Sequence, residues 1–157
     1  MQRRLVLAVV TILLVAVMAP AALARPRTYT AHLTGGAELP VVDSKARGQT
    51  VLRLSKDGTE LRYRLIVANI DDVTQAHIHV GAEDVNGPVV AFLFGPEAEG
   101  VTTSGVLATG TITSADLVGP LGGMPLTALV AALDDGGAYV NVHTLEHPAG
   151  EIRGQIR

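Results

Sequence analysis

Residues 49–67 have the sequence QTVLRLSKDGTELRYRLIV. Polar and apolar residues alternate in both halves of this stretch, and Asp57-Gly58 between them is typical of a tight hairpin turn. Because successive side chains of a strand point to opposite faces, Arg62 and Arg64 are expected to face water while the leucines face a core. The stretch therefore predicts an antiparallel β-hairpin.

The chain beyond this hairpin has further short runs of β-branched and apolar residues between turns rich in Gly, Asp and Pro. One segment differs, because Leu126, Leu129 and Leu133 follow Pro125 at helical spacing, which predicts one short helix over Met124–Leu133. Many short strands and one helix are typical of an all-β fold, an antiparallel sandwich or Greek-key barrel. A loop is predicted over Pro40–Gly48, and the other strands over Thr28–Leu33, Thr74–Val80, Val89–Phe94, Val106–Thr113, Ala138–Thr144 and Glu151–Ile156.

Composition excludes several classes of protein. The 157 residues suit a single domain, and 48% hydrophobic with 17% charged residues is typical of a folded chain rather than a disordered tail. There is no cysteine, which excludes a disulfide scaffold, an iron–sulfur protein, a cysteine-based zinc finger and thiol catalysis. The net charge of -3 argues against nucleic acid as a partner.

The first 24 residues have the three parts of a secretory signal. Arg3 and Arg4 precede an apolar run over Leu5–Met18, and Ala22-Leu23-Ala24 matches a small-x-small cleavage site. The run is shorter than the roughly 20 residues that span a bilayer. We therefore expect a signal peptide over residues 1–24, removed to leave one domain over residues 25–157, secreted to the periplasm or the extracellular space, with no membrane span after cleavage.

The histidines carry the only pattern that points to chemistry. His77 and His79 form a His-x-His pair on a predicted strand, so both lie on one face about 7 Å apart. His143 lies on another predicted strand, on the same face as Tyr139 and Asn141. Imidazole suits copper, zinc and nickel, so these three histidines form a candidate metal site. In the alternative interpretation they form hydrogen bonds that hold the sheets together.

Other polar features have structural explanations. His32 is expected to be a surface strand residue, and His147 a solvated loop residue. Asp residues at 71–72 and 134–135 adjoin turns, where they cap backbone groups. Gly87 is expected to supply a positive φ in the turn over residues 84–88. No serine has the context of a hydrolase nucleophile, and no glycine pair has the context of a phosphate loop.

Five ordered segments together resemble the CHRD domain, which is named after chordin, an extracellular protein. They are LTGGAELP at 33–40, AHIH at 76–79, VNGPVV at 85–90, YVNVHT at 139–144 and PAGEIRGQI at 148–156. The resemblance covers Thr28 to Ile156, and such domains also occur as single secreted bacterial proteins. The family has no settled biochemical activity, so the resemblance implies no reaction, and chordin's ligand-binding role does not transfer.

The resemblance implies a fold similar to copper/zinc superoxide dismutase, so an immunoglobulin-like or superoxide-dismutase-like sandwich is expected. In that comparison His77 and His79 match the copper His-x-His pair, and His143 matches a later copper ligand. Arg153 matches the arginine that guides superoxide. No histidine lies between His79 and His143, so the zinc site of the dismutase is not expected. His147, Glu38 or water would complete a copper site.

Three functional hypotheses follow. The favoured one is a non-enzymatic secreted binding module with a copper site on His77, His79 and His143, and with no catalytic residues. The second is a structural or protein-interaction module without a metal, whose partner is an unidentified extracellular protein or polymer. The third is a minimal copper-dependent, superoxide-dismutase-like oxidoreductase.

Overall fold

The computed structural model of the protein describes residues 27–157. The signal peptide predicted over residues 1–24 lies outside the described residues. Within them are eight strands and one α-helix, joined by short 3-10 turns at Gly35–Ala37, Ser114–Asp116 and Gly119–Leu121. The strands are β1 (Thr28–Thr34), β2 (Arg47–Leu54), β3 (Leu61–Ala68), β4 (Val73–Val80), β5 (Val89–Phe94), β6 (Gly105–Ile112), β7 (Ala138–Thr144) and β8 (Ile152–Gln155), and the helix α1 spans Leu126–Asp134.

The strands form one antiparallel sheet that curls into a nearly closed barrel. Their order is β5-β4-β7-β8-β1-β2-β3-β6, so the connections from β3 to β4, from β5 to β6 and from β6 to β7 join strands that are not hydrogen-bonded neighbours. The two outermost strands, β5 and β6, approach each other. Tyr63 of β3 lies over Gly110 of β6, and its hydroxyl donates to the carbonyl of Leu93 in β5 at 2.8 Å. The predicted all-β antiparallel architecture with one short helix is confirmed.

The hairpin predicted over residues 49–67 is present. Strands β2 and β3 pair with Leu52 opposite Tyr63 and Arg53 opposite Arg62. Gly58 has a φ of 74°, a left-handed conformation that glycine adopts without strain. Strand β2 begins at Arg47 rather than after the loop predicted to end at Gly48, because the first residues of β2 already pair with the end of β1.

The barrel interior holds the hydrophobic core. Helix α1 closes part of it, and the helical spacing predicted there is confirmed, since Leu126, Leu129, Val130 and Leu133 are buried. The helix begins at Leu126 rather than Met124 because Pro125 occupies the cap position with extended backbone angles. The largest fully buried apolar side chains are Leu33, Leu52, Leu61, Leu65, Ile78, Ile112, Leu129, Ile152 and Ile156.

Strand β7 is buried on both faces. Its apolar residues Val140 and Val142 point into the barrel. The alternating residues Tyr139, Asn141 and His143 lie on the outer face, opposite polar residues of β4 and β8. The polar–apolar alternation of β7 would predict that this outer face is exposed to solvent, but loops cover it. We call the covered group the outer polar layer; it consists of Glu38, His77, His79, Tyr139, Asn141, His143 and Arg153.

Candidate metal site

The three histidines of the His-x-His pair and of β7 come together in the outer polar layer. The ring centroids of His77 and His143 are 5.0 Å apart, those of His77 and His79 are 5.6 Å apart, and those of His79 and His143 are 6.4 Å apart. One ring nitrogen from each lies within 4.8 Å of the other two. The structure therefore brings together the three histidines that the sequence pattern singled out.

Backbone carbonyls fix the orientation of two of the rings. Nδ1 of His79 lies 2.9 Å from the carbonyl oxygen of Gly87, and Nδ1 of His143 lies 3.0 Å from that of Pro148. Because a carbonyl oxygen only accepts, each Nδ1 carries the proton and each neutral ring has its lone pair on Nε2. Metal-binding histidines are typically held in this way by their second ring nitrogen.

The third ring completes the cluster. Nδ1 of His77 lies 3.2 Å from Nε2 of His143. An ion bound about 2.0–2.1 Å from two imidazole nitrogens in tetrahedral geometry holds them about 3.3 Å apart, so this distance suits a shared ion as well as a hydrogen bond. The Nε2 atoms of His77 and His79 are shielded from solvent and have no hydrogen-bond partner within residues 27–157.

Burial keeps the cluster uncharged. Burial is the largest cause of the low pKa of His77, which is about 4, and the neighbouring His143 and His79 contribute to the same shift because a second positive charge would be repelled. Burial is also the main cause of the lowered pKa of His79 and of His143. Near neutral pH the three rings are therefore uncharged and can donate a lone pair to a metal, and protons compete only weakly for these lone pairs.

No charged ligand belongs to the cluster. Among residues 27–157 the metal-compatible group contains the three imidazoles alone. Of the alternatives expected to complete a copper site, Glu38 and His147 are not part of this group, which leaves water. His147 is half-buried in the loop after β7, and His32 is exposed on β1 as predicted. The arrangement offers three neutral nitrogen donors and leaves further coordination positions to water or an external ligand.

A stacked group of side chains supports His79 from one side. The ring of Tyr139 lies parallel to it, with centroids 4.8 Å apart and an angle of 11° between the planes. The guanidinium carbon of Arg153 lies 3.5 Å from the centroid of Tyr139. The backbone N–H of Gly87 donates to the Tyr139 hydroxyl at 3.0 Å, which ties this group to the loop that orients His79.

Arg153 binds a loop and is not presented to solvent. It is only 1% exposed, and its guanidinium donates to the carbonyls of Ala82 at 2.9 Å, Glu83 at 3.2 Å and Val85 at 2.9 Å. It also donates to the side-chain oxygen of Asn86 at 3.0 Å. The role of guiding an anion, expected from the resemblance, requires an accessible guanidinium. The structure corrects that expectation, because Arg153 holds the loop over residues 81–88 in place.

Gly87 is required for a reason other than the expected one. It is not among the residues with positive φ. Instead, a Cβ at this position would lie 1.6 Å from the carbonyl oxygen of Val80, too close for any side chain. The close approach of two backbone segments, which the sequence alone does not show, therefore explains this glycine.

Glu38 and Asn141 form a buried pair that sequence reasoning did not anticipate. The amide Nδ2 of Asn141 donates to Oε1 of Glu38 at 2.7 Å. Burial raises the pKa of Glu38 to about 7, although Arg153 and Asn141 act in the opposite direction. Gly150 makes room for the pair, since a Cβ there would lie 2.5 Å from Nδ2 of Asn141.

The Glu38 carboxyl gives a testable dependence of stability on pH. Its pKa is raised on folding, so the folded state binds more protons than the unfolded state between about pH 4.5 and 7 and stability falls as the pH rises through this range. The free energy of unfolding should decrease between pH 5 and pH 8, and in the Glu38→Gln variant this decrease should be smaller than in the wild type by roughly 2 kcal/mol. Urea unfolding at both pH values measures it, with Glu146→Gln, an exposed residue, as the control. An unchanged pH dependence in Glu38→Gln would contradict the assignment.

Fold and site together define a small all-β module with a buried histidine cluster on the outside of its sheet. The family model for the CHRD domain matches residues 29–156, and the chain belongs to this family. CHRD domains are extracellular modules. Comparisons with curated proteins and with solved structures gave no match.

The described part of the chain contains no helix suited to crossing a membrane. Its α-helix, α1, has nine residues.

Proposed function

We propose that this CHRD protein is exported after loss of residues 1–24 and acts as a non-enzymatic binding module that holds one copper ion on His77, His79 and His143. The observation that carries the proposal is the orientation of His79 and His143. The Nδ1 atom of each is bound to a carbonyl, which leaves the lone pair of each ring on Nε2. The Nε2 of His79 is buried without a partner, and that of His143 lies 3.2 Å from Nδ1 of His77. A histidine that only braces a sheet has no need of an unpartnered buried nitrogen, yet His77 and His79 each have one.

The donor set favours copper among the metals that imidazole binds. Three neutral nitrogens without thiolate or carboxylate suit copper, zinc and nickel more than magnesium or calcium, which prefer oxygen. Among divalent first-row ions Cu²⁺ binds a given nitrogen site most tightly. The low pKa of His77, about 4, also supports binding under mildly acidic conditions where exposed histidines are protonated.

The distant similarity to copper/zinc superoxide dismutase remains part of this proposal, supported by the antiparallel Greek-key order and by the histidine pattern. Dismutation itself receives no support from Arg153, which is buried under a loop. The proposed role is therefore binding, and the alternative without metal is the structural module, in which His77 simply donates to His143.

Metal titration of the exported protein tests the proposal. At pH 7 we expect one equivalent of Cu²⁺ to bind, with weaker binding of Zn²⁺. The His77→Ala/His79→Ala variant should lose at least about 100-fold in copper affinity. The matched control is His32→Ala/His147→Ala, which removes two histidines outside the cluster and should bind like the wild type. Equal losses in both double variants, or no stoichiometric binding by the wild type, would refute the copper site and leave the structural module.

A further inference from the structure

The outer face of β2 and β3 is open to solvent, unlike that of β4, β7 and β8. Arg53, Arg62 and Arg64 are exposed there, and we call these three residues the arginine face. Arg53 lies directly opposite Arg62, and Arg64 lies opposite Val51. Two like charges at directly opposed positions destabilise a sheet, so a ligand that neutralises them would relieve a repulsion present in the free protein.

The arginine face has little compensating negative charge. Arg62 is 3.0 Å from Glu60, but both side chains are largely solvent-exposed. Within residues 27–157, Arg53 and Arg64 form no salt bridge. Strands β1, β2, β3 and β6, which make up this side of the barrel, contain no Asp or Glu at all. The arginine face is therefore a region of positive electrostatic potential on a protein whose net charge is -3.

The arginine face also has a shape suited to a ligand. A pocket of about 320 Å³ is lined by the three arginines together with Val51, Tyr63 and Ile66. Val51 and Ile66, both half-buried, lie on the same outer face and give it an apolar surface. Guanidinium forks match sulfate and carboxylate groups in pairs of hydrogen bonds. Apolar surface beside such groups suits a ring with a non-polar face and anionic substituents.

We propose that the arginine face binds an acidic polysaccharide, with Arg53, Arg62 and Arg64 pairing with its sulfate or carboxylate groups and its sugar rings packing on Val51 and Ile66. A repeating anionic chain suits the site because Arg62 and Arg64 are spaced about 7 Å apart along β3. Duplex nucleic acid suits it less, since the acidic remainder of the protein would repel a long charged rod. The extracellular character of CHRD domains places the protein where such polymers occur.

The test measures binding of the metal-free exported protein to immobilised dextran sulfate, with neutral dextran as the uncharged reference. Polygalacturonate and duplex DNA serve as carboxylated and nucleic-acid probes. The Arg53→Gln/Arg64→Gln variant should bind dextran sulfate at least about tenfold more weakly than the wild type. The control Arg27→Gln/Arg157→Gln removes the same charge from exposed arginines paired with Asp134 and Glu83, and should change binding less than about twofold.

Three outcomes would overturn the proposal. If both double variants weaken dextran sulfate binding equally, the attraction is due to bulk charge alone. If neutral dextran binds as tightly as dextran sulfate, the site does not recognise anions. If duplex DNA binds more tightly than dextran sulfate, the ligand belongs to another class. Both double variants alter only exposed side chains, so unfolding is not expected, and circular dichroism checks this. Because no metal is present, the result is independent of the copper proposal.

Discussion

Replacing Arg153 with methionine should lower the free energy of unfolding by about 4 kcal/mol. The buried guanidinium donates to three carbonyls and one side-chain oxygen of the loop over residues 81–88, and methionine fills similar space but donates no hydrogen bond. The acceptors would lose their shared donor, and the loop would have to rearrange to find other partners. The variant also removes the cation that lies over Tyr139.

Denaturant unfolding of the metal-free protein measures this effect, and the melting temperature should fall by on the order of 10 °C. Arg157→Met is a matched control, because Arg157 contacts the same loop through Glu83 at 3.0 Å but is exposed. Its effect should stay within about 0.5 kcal/mol. Similar losses in the two variants would mean that Arg153 does not hold the loop.

The Gly87→Ala variant should lose both stability and copper affinity. An added Cβ would lie 1.6 Å from the carbonyl oxygen of Val80, so one of two backbone segments must move, and we expect a loss of about 3 kcal/mol in the free energy of unfolding. The carbonyl of Gly87 also orients His79 through Nδ1, so its displacement should weaken copper binding at least about tenfold.

Unfolding and copper titration of the same samples check both parts of this expectation. Gly36→Ala is the control, because the nearest atom to its added Cβ is Oγ1 of Thr34 at 3.9 Å and its φ is not positive. It should change neither quantity appreciably. Reduced stability with normal copper affinity in Gly87→Ala would show that the loop does not orient His79.

Local pattern was enough to predict the strands and the members of the histidine cluster. Alternation fixes which side chains share a face, so His77 and His79 could be placed together, and the same rule put His143 beside Tyr139 and Asn141 on another strand. That β4 and β7 are neighbours did not follow from pattern alone, because connections that cross the barrel set the strand order. The choice of His143 as the third member therefore rested on its residue type and its predicted strand, and the pairing of β4 with β7 is what brings it to the other two.

Burial of the outer polar layer could not be predicted in the same way. Alternating polar residues on β7 are the usual sign of a solvated face, yet loops from distant parts of the chain cover them. Nothing local to Arg153 distinguishes a buried arginine from a surface one. The short distance between Gly87 and Val80 is likewise a tertiary property, which is why the glycine was predicted for the wrong reason.

Alternate side chains of β4 lie in two different environments, the barrel interior and the loops outside it, and are therefore under different selective pressures. Ile78 contributes to the interior, while the histidines on either side of it face the loops. Substitutions among the outward residues can therefore accumulate without repacking the interior, and the scaffold could keep its shape while its ligand changes. A designer could use the same separation to install a different set of ligands on β4 and β7, leaving Ile78, Val140 and Val142 untouched.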